Sequence, residues 1–89
     1  MKLIINEAIR EIFDLISFEY KENVMLYGHN GVLDSIMLVQ LIANIEEKIL
    51  LKNDKSIVLV NDKTFSSKNS PFKNEESIIS FVEDIIQNE

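Results

Sequence analysis

Few side chains in this sequence have the types and spacing for chemistry, and the pair Asp34-Ser35 stands out among them. It follows a loop relieved by Gly28 and Gly31 and precedes the apolar-periodic run Ile36–Ile42. Asp or Ser at such a place accepts hydrogen bonds from otherwise unpaired backbone N–H groups, so the pair reads first as a helix N-cap. A hydroxyl there is also suited to carry a phosphodiester. Free N–H groups and the positive end of the helix dipole stabilise the added negative charge. Leu33 and Ile36, on either side, fix the helix start and give an incoming enzyme something apolar to grip.

The remaining reactive groups offer less. His29 is the single histidine and has no carboxylate or nucleophile at the spacing of a triad or a His-based metal site, so it reads as a solvated loop residue. Glu46-Glu47 lie next to each other on a helix, where their carboxylates diverge by about 100° and cannot work as an acid and base on one site. They read as a charged, solvated face. Gly28 and Gly31 alone do not make a phosphate loop. With neither a general base nor a cofactor motif, this chain is not expected to be an enzyme. It has no cysteine, which excludes disulfide staples and a zinc-finger type of site.

Three amphipathic segments must position Asp34-Ser35. Over residues 2–17, Ile4, Ile5, Ala8, Ile9, Ile12, Phe13, Leu15 and Ile16 share half of the helical wheel, opposite Lys2, Glu7, Arg10, Glu11 and Asp14. Glu7 and Glu11 form a like-charged i,i+4 pair that Arg10 is expected to offset. Residues 18–34 are a long connection, of the sort that wraps a core or carries function. Residues 35–50 form the second helix, with Leu38, Leu41, Ile42, Ile45 and Ile49 as a tight core stripe. Ile36, Val39 and Ala43 fall outside that stripe, with Met37 and Gln40 flanking Ile36 and Glu47 nearby. Either a loop covers these residues or they form a small exposed patch for a partner.

Residues 75–88 close the chain as a helix capped by Asn74, with Glu75 and Glu76 in its first turn and Ile78, Ile79, Phe81, Val82, Ile85 and Ile86 on one face. Between the second and last helices, Ser56–Val60 is a β-branched run with no second run to pair with. An extended segment laid across helices is therefore expected rather than a sheet. Asn61–Ser67 is expected to hold one short helical turn. The fold expected is all-α: a single domain over residues 1–89, a small four-helix bundle of three main helices and one short one.

Composition narrows the functional classes. The chain of 89 residues carries fifteen acidic and nine basic groups, net −6, which disfavours nucleic acid. Residues 1–47 hold eight acidic and three basic groups, residues 48–74 two and six, and residues 75–89 five and none. The central lysines are widely spaced with few aromatics between them and read as solvated charges offsetting acidic neighbours. No apolar run approaches the ~20 residues that span a bilayer. The N-terminus lacks the features of a signal peptide, so a cytoplasmic protein is expected.

Beyond these inferences, Leu33-Asp34-Ser35-Ile36, then Leu38-Val39 and Leu41-Ile42, then Ile45-Glu46-Glu47-Lys48-Ile49, resembles the signature of the acyl carrier protein family. That family has a Leu-Asp-Ser-Leu type motif opening its second helix, which runs on to a Leu-Glu-Glu-x-Phe type ending. The layout of helix, long loop, capped helix, irregular section and final helix is similar over the whole chain. The resemblance implies a small four-helix carrier whose Ser35 receives 4′-phosphopantetheine from coenzyme A through a separate phosphopantetheinyl transferase. Asp34 is then the motif acid beside the metal-dependent transfer. Ile36, Met37, Val39, Gln40 and Glu47 are candidates for the surface that meets partners. Those partners would be an acyl-activating ligase and acyl-transfer or condensing enzymes, and the carrier itself is expected to be a monomer. Asn30-Gly31-Val32-Leu33 and the lysine-rich section after residue 50 differ from central fatty-acid carriers. They point to a specialised lipid, glycan or secondary-metabolite pathway. An aminoacyl or peptidyl carrier would share the Ser35 chemistry, and a helical interaction module would use Asp34-Ser35 only as a cap.

Overall fold

The structure, a computed structural model, describes residues 1–88; Glu89, the last residue of the expected single domain, lies outside them. Among the described residues there are three helices and no strand: α1 (Lys2–Leu15), α2 (Ser35–Asn53) and α3 (Glu75–Gln87). Helix α1 packs against both others, whereas no Cα of α2 lies within 8 Å of a Cα of α3. The core therefore needs filler from the connections. Leu26 and Leu33 from the first, and Ile57, Leu59 and Phe72 from the second, are buried with the helical stripes Ile4–Phe13, Leu38–Ile49 and Ile78–Val82.

Helix α1 ends earlier than its periodicity suggests. The Phe18 N–H donates to the Phe13 carbonyl at 2.9 Å and the Ser17 N–H to the Asp14 carbonyl at 3.3 Å, with Ser17 at φ 57°. This is a Schellman closure, and its usual apolar contact is present as an edge-to-face pair of Phe18 and Phe13 rings at 5.3 Å. Leu15, expected in the core, is 70 % exposed. The residues of α2 that line the open cleft beside it are Gln40 and Asn44, which provide no apolar lid.

Helices α1 and α2 run antiparallel, joined by charges. Glu11 accepts from Asn44 at 2.8 Å and from Lys48 at 2.9 Å, while Lys48 and Lys52 approach Glu7 at 3.7 and 3.4 Å. The lysines of α2, and not Arg10, thus relieve the Glu7–Glu11 repulsion. Arg10 instead bonds to Asn6 and lies over the Tyr20 ring, 3.9 Å from its centroid. Tyr20 in turn donates to Glu75 at 2.6 Å, and Asn6 bridges the two, so the first connection is tied to the start of α3.

The short fourth helix is absent among the described residues. Asn61–Ser67 makes two successive tight turns, from the Thr64 N–H to Asn61 and from the Ser66 N–H to Lys63. Side chains compete with the backbone for the bonds a helix would need. The Asn61 N–H donates to Thr64 Oγ1, the Lys63 N–H to Asn61 Oδ1, and buried Ser70 bridges the Thr64 carbonyl and the Phe72 N–H. The bundle is thus three helices closed by an irregular wall. No helix of the described residues is long and apolar enough to cross a membrane.

Two measurements follow. Ser17→Gly removes a side chain from a left-handed position and should raise stability by about 0.5–1 kcal/mol in urea unfolding; a loss would show that the closure does not form. The bonds from Asn44 and then Lys48 hold the Glu11 carboxyl below its ordinary value of 4.5. Folding is therefore favoured by its ionised form above that value, and this contribution is lost as pH falls through the depressed one. Glu11→Gln should flatten the acid limb of stability below pH 4.5, and an unchanged limb would assign it to other carboxyls.

Candidate functional site

The segment before α2 is built to deliver Asp34-Ser35 at a fixed place. The Leu26 N–H donates to the Lys73 carbonyl, the Val32 N–H to Met25 and the Leu33 N–H to Leu26, so Leu26 and Leu33 are held as paired anchors in the core. Between them the chain turns through Gly28 and Gly31. Gly28 has φ 106°, and a Cβ there would meet the Ser67 carbonyl oxygen at 2.6 Å. A Cβ on Gly31 would lie 2.7 Å from the Tyr27 Cα. Both glycines are required by close backbone approach. The second connection closes on the same turn. Tyr27 packs edge-to-face on Phe65 at 6.1 Å, and the His29 N–H points at the Ser67 carbonyl.

Asp34 is the N-cap of α2, its Oδ1 accepting from the Met37 N–H at 2.8 Å. Ser35 is the first helical residue and exposed, and its hydroxyl makes no hydrogen bond among the described residues. The first turn of α2 holds no acidic side chain, and Lys52 sits in the last turn. The N–H groups of Ser35 and Ile36 precede the first intrahelical bond, which runs from Leu38 to the Asp34 carbonyl. A phosphodiester on Ser35 Oγ would therefore meet free donors and the positive end of a 19-residue helix.

The helix also decides which flanking residues face outward. Ile36 is 68 % and Val39 51 % exposed, and Gln40, Ala43 and Glu47 are exposed with them. At about 100° per residue these five span roughly 100° of arc directly opposite the core stripe. No loop covers them. Met37 departs from this group: it is half-buried and packs against the core, so it is a poor isolated probe of the exposed face. His29 is exposed in its loop, as expected, and lies in no metal-binding cluster among the described residues.

Two features were not read from the sequence. Glu46, expected to be solvated, is half-buried and accepts from the Leu59 N–H at 2.9 Å, pinning the extended segment along α2. Exposed Leu50 continues the Ile36–Val39 face toward the end of α2, a position the helical wheel could have revealed.

The cap gives a direct test of the geometry. Asp34→Ala should cost about 1 kcal/mol of stability and Asp34→Asn only a few tenths, because Asn retains an accepting oxygen. Equal losses from both would mean that the charge, not the cap bond, matters. Compared with family models, with curated proteins and with solved structures, the chain finds no match in any of the three.

Proposed function

We propose that this chain is an acyl carrier protein that holds acyl groups as thioesters on a 4′-phosphopantetheine arm attached to Ser35. The observation that carries the proposal is the exposed Ser35 hydroxyl at the first position of an Asp34-capped helix, with an uncovered face of Ile36, Val39, Gln40 and Glu47 beside it. In the loading step, Ser35 Oγ attacks the coenzyme A phosphorus that bears pantetheine. A new P–O bond forms, the pyrophosphate bond breaks, and adenosine 3′,5′-bisphosphate leaves. The serine proton passes to a base of the phosphopantetheinyl transferase. This chain supplies the nucleophilic oxygen and the helix N-terminus that stabilises the resulting phosphodiester. The transferase and its metal supply the catalysis, so the chain itself is a substrate carrier and not an enzyme.

Once attached, a flexible arm raises the effective concentration of the acyl group at each partner's active site. The partners are an acyl-activating ligase and acyl-transfer or condensing enzymes, which grip the apolar residues next to the serine. The lysine-rich wall after residue 50 favours a specialised lipid, glycan or secondary-metabolite pathway over central fatty-acid synthesis.

Intact mass spectrometry after incubation with coenzyme A, magnesium and a broad-specificity transferase tests the reading. The wild-type chain should gain one phosphopantetheinyl group and Ser35→Ala none, with circular dichroism unchanged. No gain, or a gain that survives Ser35→Ala, would reduce Asp34-Ser35 to a helix cap on an interaction module. Loading of the holo chain with fatty acids against amino acids then separates an acyl from an aminoacyl or peptidyl carrier.

A further inference from the structure

On the α2 wheel, Glu46 and Asn44 border the exposed face from opposite sides, about 160° apart. The Glu46 border is closed. Its carboxylate holds the Leu59 N–H at 2.9 Å, and Ile57 and Leu59 are buried behind it. The Asn44 border is open. There Leu15, Gln40 and Asn44, with Glu11, Ile12 and Asp14, line a cleft of about 390 Å³ between α1 and α2. Its polar groups are incompletely used among the described residues. The Gln40 side chain and the Asp14 carboxylate have no hydrogen-bond partner, and Asn44 donates from Nδ2 to Glu11. A carboxylate only accepts, so Asn44 is fixed with its Oδ1 turned away from Glu11 and free to accept. Leu15, 70 % exposed, adds one apolar wall.

We propose that Leu15, Gln40 and Asn44 form the resting site of the phosphopantetheine arm carried by Ser35, an inference that rests on the carrier reading above. Reach allows it. Gln40 is five and Asn44 nine residues beyond Ser35, about 7.5 and 13.5 Å along the helix axis. The arm's main chain is about as long as five extended residues, roughly 17 Å. The chemistry also matches. Between its phosphate and its thiol the arm has a carbon with two methyl groups, a hydroxyl and two secondary amides. The methyl groups suit Leu15, and the amide N–H groups suit Asn44 Oδ1 and the Asp14 carboxylate. The Gln40 amide both donates and accepts, which suits either side of an arm amide. Glu11 serves the fold instead, its two oxygens held by Asn44 and Lys48. An arm laid here leaves Ile36 and Val39 bare for a partner enzyme, and the open cleft releases it to that enzyme's active site.

NMR spectra of the chain before and after loading with coenzyme A, magnesium and a broad-specificity transferase test this, with intact mass read on the same sample. The loaded chain should show shifted side-chain amide resonances of Gln40 and Asn44 and shifted Leu15 methyl resonances. Overhauser contacts should run from the arm's two methyl groups to Leu15, while the Ile57 and Leu59 methyl groups stay unmoved. In the loaded double variant Leu15→Ser, Gln40→Ala, with both changes at exposed positions, the Asn44 shift should be lost and helical content unchanged. The wild-type contacts decide even where the variant fails to fold. A mass gain with Leu15, Gln40 and Asn44 unmoved, or with contacts to Ile57 and Leu59 instead, overturns this inference and leaves the carrier reading standing. No mass gain overturns both.

Discussion

No Cα of α2 comes within 8 Å of a Cα of α3, and this places a demand on the connections between elements. Helix α1 packs on both, and side chains from irregular backbone complete the common core. Leu26, Leu33, Ile57, Leu59 and Phe72 do this, all at 5 % exposure or less. Each such residue removed from water is worth about 1.5–3 kcal/mol, a large fraction of what holds a domain of this size together. Polar bonds hold these residues in place: Glu46 to the Leu59 N–H, Ser70 to the Phe72 N–H, the Lys73 carbonyl to Leu26. These bonds tie the irregular turns to the helical core.

The same constraint shapes the candidate site. Leu33 is clamped to Leu26 just one residue before the cap, and the Gly28 turn is closed over by Ser67. Ser35 consequently projects from a hydrogen-bonded corner, while Ile36 and Val39 beyond it on α2 remain uncovered. A hydroxyl at a helix start, bordered by Ile36 and Val39, is the platform that the proposed carrier role would use.

How much of this was legible in the sequence divides by the range of the interactions. The three helices were visible because their apolar residues recur every three to four positions over more than a dozen residues, and the caps Asp34 and Asn74 bond only three residues ahead. The residues of α2 left over from the core stripe followed from the same periodicity, whereas their freedom from a covering loop did not. Contacts between distant segments were not legible. Glu46 looks like any surface glutamate until Leu59 is brought beside it. Lys48 and Lys52 looked solvated until α1 placed Glu7 and Glu11 opposite. The short fourth helix failed for a more local reason. Asn61, Thr64 and Ser70 carry side chains that satisfy the backbone in turns, and a tally of helical periodicity does not register that competition.

The attachment of α3 has a consequence for how the molecule breathes. Among the described residues only Ile78 and Val82 of that helix are fully buried, and α1 is the helix whose Cα atoms approach it within 8 Å. Phe72 grips it through the Phe81 ring at 5.6 Å, and the Asn6–Tyr20–Glu75 bonds tether its start. Helix α2, by contrast, is held along its length by α1 on one side and the Ile57–Leu59 segment on the other. Local opening is then expected to begin at the C-terminal part of α3 and to travel toward its tethered start.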